Sequence, residues 1–196
     1  FDGRQRPSDS DDPGVIAARR AAITAVPGVG TVRGVHVYAG SLWAFRDHAS
    51  DGTSRMFKST NAGWVEQTFG YELTFDTGTQ AFAEGDTITG GSSSASGVVE
   101  RAILRTGAFG DGDATGYLIL SGVSGTFEAA ETITGTVGSA KVTAAQSALT
   151  LPAGGIYDFT THNFYGSAKT PRMYFCNGQG NAWEWDGEVL AIIKTG

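Results

Sequence analysis

Nine residues from Phe82 to Gly90, Phe-Ala-Glu-Gly-Asp-Thr-Ile-Thr-Gly, return 45 residues later from Phe127 to Gly135 as Phe-Glu-Ala-Ala-Glu-Thr-Ile-Thr-Gly. The same offset aligns Leu73 and Phe75 with Leu118 and Leu120, and Ser94-Ala95 with Ser139-Ala140. Self-similarity at a fixed period marks a duplicated supersecondary unit, which constrains the fold before any single motif does. Each copy carries an apolar strand (73–75 and 117–120), a polar turn, the Thr-Ile-Thr-Gly strand end, a Ser/Gly turn and a Val-containing return strand (98–104 and 142–145). Threonine on both sides of one isoleucine is the alternation of a strand with one wet face. Each unit is therefore a small open sheet whose apolar face needs a partner, and the other copy is the obvious one. Two copies packed face to face predict a small sandwich or barrel over residues 71–150. A duplicated unit of Thr, Gly, Ser and short apolar alternations points to structure and assembly rather than to catalysis.

The flanks have a different style. Residues 30–70 predict a β meander of four strands near 35–37, 42–45, 55–59 and 64–69, turning at Ala39-Gly40-Ser41, at the polar loop 47–53 and at Thr60-Asn61-Ala62-Gly63. Residues 151–196 resume it, with strands expected near 156–160, 172–176, 182–185 and 189–193 and tight hairpin turns at Asn177-Gly178 and Asp186-Gly187. Four antiparallel strands in roughly 40 residues is the size of one propeller blade, although a free-standing sheet has the same pattern. The expected fold is all-β, with two blade-like antiparallel meanders flanking an inserted two-repeat sandwich or barrel. Two blades do not close a ring, so closure requires further chain or other subunits. Residues 1–29 are read as an extended arm whose polar run Ser8 to Asp12 cannot order itself. Within it, Asp12-Pro13 followed by residues 14–23 offers an alternative capped helix. The chain opens on Phe1 rather than Met and is expected to derive from a longer protein.

Composition narrows function. The 29 glycines are scattered at turn-like positions in 196 residues, which implies many short strands. Net charge is −6 and the basic residues form no run longer than Arg19-Arg20, so a phosphate-tracking surface and sequence-specific nucleic-acid binding are not expected. No apolar stretch approaches the ~20 residues that span a bilayer. The single cysteine, Cys176, excludes an intrachain disulfide and is expected to be an inert core residue in the strand Met173-Tyr174-Phe175-Cys176.

Residues that could carry chemistry each have a plainer explanation. His36, His48 and His162 share no metal-like spacing, and His36, alternating with Val35 and Val37, is expected to face water. Asp111 and Asp113 in Gly110-Asp111-Gly112-Asp113 resemble the opening of a calcium loop, but Gly122 stands where such a loop needs its bidentate glutamate. Glu84, Asp86, Glu131, Glu184 and Asp186 are the carboxylates from which a glycosidase pair could be drawn. A duplicated structural turn explains the repeat members, and Glu184 between Trp183 and Trp185 reads as an exposed strand residue. Gly28-Val29-Gly30 lacks the Lys-Ser/Thr end of a phosphate loop. Trp43, Trp64, Trp183 and Trp185 could line a sugar face but are expected mostly in the core, with Trp183 and Trp185 on one side of a strand. No catalytic, cofactor or metal residue is assigned, and no cofactor is expected.

Several segments resemble structural tail proteins of tailed bacteriophages, in particular the β-rich nozzle or lower-tail-tube proteins. They are Asp2-Gly3-Arg4 to Pro7-Ser8, Ala25-Val26-Pro27-Gly28 to Val35-His36-Val37-Tyr38, Trp43-Ala44-Phe45-Arg46-Asp47, and Tyr174-Phe175-Cys176-Asn177-Gly178 to Trp183-Glu184-Trp185-Asp186-Gly187. The middle repeats are similar to Gly-Glu/Asp-Thr-Ile-Thr-Gly modules inserted in several virion proteins. The resemblance implies a non-enzymatic virion protein, one subunit of a homo-oligomeric ring around a DNA channel, with other tail or head-tail connector proteins as neighbours. It further implies a propeller-like body from which the repeat domain projects, an N-terminal arm strapping subunits together, and an acidic channel wall that does not hold DNA. The alternatives are a carbohydrate- or receptor-binding tail module and a glycosidase or lyase on a propeller frame.

Overall fold

The computed structural model describes residues 13–14, 16–17, 23–164, 166 and 170–194. Within them the protein is an all-β structure of sixteen strands in three antiparallel sheets, with one short 3-10 turn at Phe109–Asp111. Pro13, Gly14, Ile16 and Ala17 are helical, and the rest of the expected arm or helix up to residue 22 lies outside the described residues.

The first sheet is a meander of β1 (Val32–Tyr38), β2 (Ser41–Asp47) and β3 (Thr53–Thr60). Ala39 and Gly40 form the first turn with φ of 49° and 74°, the paired left-handed conformation that a two-residue hairpin demands. The fourth row of this sheet is made of two separate pieces of chain. β4 (Gly63–Glu66) pairs with the end of β3 from Thr60 to Phe57, and Gln67 donates its N–H to Met56 O at 2.9 Å. The chain then leaves and returns as β12 (Leu151–Pro152), which pairs with Ser54 and Thr53 at the start of β3. The repeat region thus interrupts a single strand position. Its two stems are bonded to one another, with Leu149 N donating to Gly70 O at 3.0 Å.

A second sheet, β13 (Asp158–His162), β14 (Arg172–Cys176), β15 (Ala182–Trp185) and β16 (Leu190–Ile193), is an uninterrupted meander. Its inner face, with Met173, Phe175, Trp183, Trp185 and Leu190, packs on Tyr38, Trp43, Phe45 and Met56 of the first sheet, so the two form a sandwich-like pair. The two expected tight turns are longer. Phe175 pairs with Trp183 and Trp185 with Leu190, which leaves connections of several residues in which only the glycines, Gly178 and Gly187, have positive φ. Asn177 and Asp186 instead use their side chains. Asn177 is buried, donates to Pro152 O at 2.8 Å and accepts from Gln179 N at 3.1 Å, and the Asp186 carboxylate accepts from Glu188 N and Val189 N at 2.8 and 2.7 Å. A side chain that bonds the backbone two or three residues on takes the place of a second positive-φ residue.

Between these sheets in sequence lie β5 (Tyr71–Gln80), β6 (Thr87–Gly90), β7 (Ser96–Thr106), β8 (Ala114–Ser124), β9 (Thr132–Thr134), β10 (Ser139–Val142) and β11 (Ser147–Ala148). The two copies are β5-β6-β7 and β8-β9-β10, and they interleave rather than stack as separate sheets. β5 pairs with β8, β7 with β8, β6 with β9 and β10 with β5, so the hydrogen-bonded order returns to its start. Leu73 lies opposite Leu118, and Thr89 opposite Thr134, in each case the residue 45 positions on. Equivalent residues facing one another are the mark of a two-fold relation between copies. Leu73/Leu118, Phe75/Leu120, Phe82/Phe127, Ile88/Ile133 and Ala95/Ala140 fill a single core.

The copies are equivalent in backbone but not in sequence at one turn. Gly85 has φ 85° and its counterpart Ala130 has φ 66°, each followed by matching bonds: Gly85 N to Val99 O and Val99 N to Asp86 O, then Ala130 N to Val142 O and Val142 N to Glu131 O. A left-handed alanine is strained where glycine is not. Ala130→Gly is expected to stabilise the protein by about 0.5–1 kcal/mol, read as a raised urea midpoint at constant m.

Candidate functional site

The repeat carboxylates come first because they explain the repeated motif. Glu131 is 6% exposed, and it accepts from Ser92 N, Ser93 N and Glu128 N at 3.1, 3.0 and 2.6 Å and from Ser93 Oγ at 2.8 Å. Its counterpart Asp86 accepts from Thr136 N and Thr136 Oγ1 at 2.6 and 2.5 Å. Each acid therefore binds the turn that follows the Thr-Ile-Thr-Gly strand of the other copy. The glycine closing that strand makes room for it: a Cβ at Gly90 would lie 2.5 Å from Glu131 Oε2, and one at Gly135 2.4 Å from Asp86 Oδ2. Acid and glycine in the motif are partners across copies, not along the chain.

Burial alone would raise the Glu131 pKa. The convergent N–H donors outweigh it and hold the carboxyl at about 2, and hydrogen bonds from Thr136 lower that of Asp86. These carboxylates staple turns.

A second cluster lies where the repeat region meets the second sheet. Arg101 on β7 reaches Glu184 at 3.0 Å and Glu84 at 3.6 Å and bonds Asp186, while Arg172 on β14 reaches Glu184 at 3.4 Å and Asp186 at 2.7 Å. Glu184 is buried, contrary to the exposed position expected from its alternation with tryptophans. The outer face of β15 is wet only until the repeat region covers it. Burial raises the Asp186 carboxyl, but the Val189 and Glu188 N–H groups and Arg101 pull it below its ordinary value. Beside this network Lys194 pairs with Glu72 at 2.6 Å and Tyr117 Oη donates to Ile192 O at 2.5 Å. Tyr117, Ile119, Leu149 and Val189 form a small shared core.

A cleft of about 690 Å³ opens between the first sheet, the two stems, Glu100 of β7, residues 119–122 of β8 and the loop after β15. Arg55, Glu66, Tyr71, Glu100, Ser121 and Glu188 reach it over a floor that includes Leu120 and Leu149. Gly70, with φ 76°, lets the stem lie flush on β8, since a Cβ there would sit 2.2 Å from Leu120 O.

The remaining candidates are dispersed. His36 is half-buried, stacks on Phe159 with centroids 5.0 Å apart and bonds Thr161 Oγ1 at 3.0 Å, and burial lowers its pKa. It faces inward while Val35 and Val37 face out, the reverse of the expected parity, because Gly34 and Tyr38 turn that side of β1 toward Tyr157, Phe159 and the core. His48 pairs with Asp51 at 3.2 Å in a turn, and His162 packs edge-on against Phe164.

Asp113 Oδ1 accepts from Ala108 N at 2.8 Å and closes its loop, with Asp111 in the 3-10 turn. Among the described residues no three His, Cys, Asp or Glu converge as a metal site. Arg46 bonds Val26 O, and Gly30 O at 2.6 Å, which pins the Pro27–Gly30 turn to β2. Trp43, Trp183 and Trp185 are core, whereas Trp64 is half-buried and donates to Thr24 O at 2.9 Å. Cys176 is exposed rather than buried, because β14 alternates: Met173 and Phe175 point inward and Cys176 outward.

The junction residues Arg101, Arg172, Tyr71, Glu100 and Glu188 were not among the sequence candidates. One signal was present for Arg101, an arginine inside the apolar run 98–104. Charges in such a run are retained by pairing. Comparison with protein-family models, with curated proteins and with solved structures finds no match.

Two outcomes test these roles. The Glu131 contribution to stability is full above its unfolded pKa of about 4.3 and is lost as pH falls toward 2, so Glu131→Gln should cost about 1–3 kcal/mol at neutral pH and flatten the acid limb in that window. Arg101→Ala is expected to cost about 1–3 kcal/mol and to split a single calorimetric transition into two, because it strands Glu184 and Asp186 at the junction.

Proposed function

We propose that this chain is a non-enzymatic structural protein of a tailed-phage virion, assembled as a homo-oligomeric tail ring or nozzle around the DNA channel with other tail or connector proteins as neighbours. The observation that carries the reading is a row of exposed apolar side chains on an edge strand. Val35 and Val37 on β1 are 55% and 66% exposed, and Val32 and Leu42 extend the row across the outer face of the first sheet. Among the described residues β1 pairs only with β2. Beyond one bond, from Tyr157 N to Arg33 O at 3.3 Å, this edge carries no ladder among the described residues, and an open edge beside exposed aliphatics is a surface that assembly covers.

Three further features support the reading. Arg101, Arg172, Glu184 and Asp186 converge as ion pairs, and Asp86 and Glu131 converge on backbone groups as turn staples. Each flanking sheet is about four strands wide, the size of one propeller blade, and the two share one core. A net charge of −6 suits a wall past which DNA must slide. In this role the arm before residue 13 straps neighbouring subunits, and the assembled protein resides in the virion tail.

Negative-stain microscopy and light scattering of the purified chain should show a ring. Val35→Asp combined with Val37→Asp should lower the assembled mass to that of a monomer with an unchanged far-ultraviolet circular dichroism spectrum, and deletion of residues 1–12 should weaken assembly without unfolding the protein. A monomer at every concentration, or an oligomer indifferent to the double substitution, would sink the proposal.

A further inference from the structure

The geometry points to the junction cleft as a binding site for a neutral oligosaccharide. At about 690 Å³ it falls inside the range of roughly 300–1,000 Å³ typical of small-molecule sites, and it sits where the interrupted first sheet, the repeat region and the second sheet meet. It offers one large ring to a ligand. Tyr71, at the start of β5, is 37% exposed, whereas the other rings at this end are spent on packing, as Phe69 is edge-on against Trp185.

Around Tyr71 stand hydrogen-bonding groups with capacity to spare. Glu100 uses one carboxylate oxygen on Ser121 Oγ, and Glu66 uses one on Arg55 Nε at 3.1 Å. The Glu188 side chain makes no hydrogen bond among the described residues, and neither do the hydroxyls of Thr68 and Thr150. The apolar floor, Ile119, Leu120, Leu149 and Val189, is already buried within the protein.

This lining selects among ligand classes. Glu66, Glu100 and Glu188 line the cleft with a single guanidinium, Arg55, that is already paired with Asp51 and Glu66, so a phosphate or another anion is repelled. A long apolar ligand finds little uncovered hydrocarbon. A sugar ring presents hydroxyl donors to carboxylates and hydroxyls, and C–H bonds to the face of a tyrosine, which is the combination available here. The location adds a consequence: a saccharide held by Tyr71 and Glu100 of the repeat region and by Glu66 and Glu188 of the flanking sheets would bridge both sides of the junction.

The test uses the full chain and three neutral probes, maltohexaose, cellohexaose and chitohexaose, titrated to about 10 mM while backbone amide shifts are followed. One probe is expected to saturate and to move the amides of residues 67–71, 100, 121–122 and 188. Tyr71→Ala should weaken it at least about tenfold, and Tyr71→Phe should stay within about threefold of the parent. Glu188→Ala, which removes no bond of the fold, should weaken it with unchanged stability. The inference is overturned if no probe saturates, if Tyr71→Ala and Glu188→Ala bind as the parent does, or if an oligolysine peptide occupies the cleft and the saccharides do not. Oligomeric state is read in the same samples, so loss of sugar binding and loss of assembly are told apart.

Discussion

An unpaired strand edge in water is tolerable, but one buried beside a core is not, and that constraint organises the repeat region. Neither copy pairs its own first strand with its own return strand in a way that closes it. The return strand β7 of the first copy lies on β8 of the second, and β10 of the second lies on β5 of the first. The carboxylate staples follow the same exchange, with Glu131 entering the turn of the first copy and Asp86 that of the second. The motif therefore records a two-body fit. An acid of one copy needs a glycine in the other, which is why both recur in both copies even though Gly90 and Glu131, and Asp86 and Gly135, lie far apart in the chain.

The same accounting explains how so large a segment interrupts a strand. Only one row of one sheet is broken, and the two broken ends remain in register on β3, β4 covering its second half and β12 its first. Stems that bond to one another keep the closure of the long loop from being left to chain entropy alone. The junction is then locked by charge. Arg101 and Arg172 sit between Glu184 and Asp186 as an alternating quartet, each ion with partners of opposite sign, an arrangement that lets partly buried charges persist without neutralising.

How much of this was legible in the sequence depended on whether the information was local. Strand positions followed from alternation, so the strands near 172–176 and 182–185 were recovered, and the repeat announced both the paired core positions and the equivalence of β6 with β9. Facing was harder. The parity of β1 came out inverted at His36, because β-branched valines favour strands on either face and nothing local says that Tyr157 and Phe159 will stack over Gly34. Cys176 and Glu184 were misplaced for one reason: each belongs to the outer face of the second sheet, and whether such a face is wet is decided by what packs on it. Asn-Gly and Asp-Gly signalled turns correctly but not their lengths, since Asn177 and Asp186 spend their side chains on backbone groups. The cleft was invisible, being assembled from segments more than a hundred residues apart.

The distribution of charge ties these levels together. Among the described residues, cations at the junction are drawn inward into pairs, Arg101 and Arg172 in the quartet and Lys194 on Glu72, while Glu66, Glu100 and Glu188 remain around the open cleft. The lining of the cleft is therefore acidic on balance. Around the cleft such an arrangement disfavours contact with a polyanion. The proposed saccharide, being uncharged, would use these carboxylates without meeting that repulsion. At the junction, then, the arginines and Lys194 serve to hold the inserted repeats against the second sheet, and the carboxylates left around the cleft set which ligand charges it can accept.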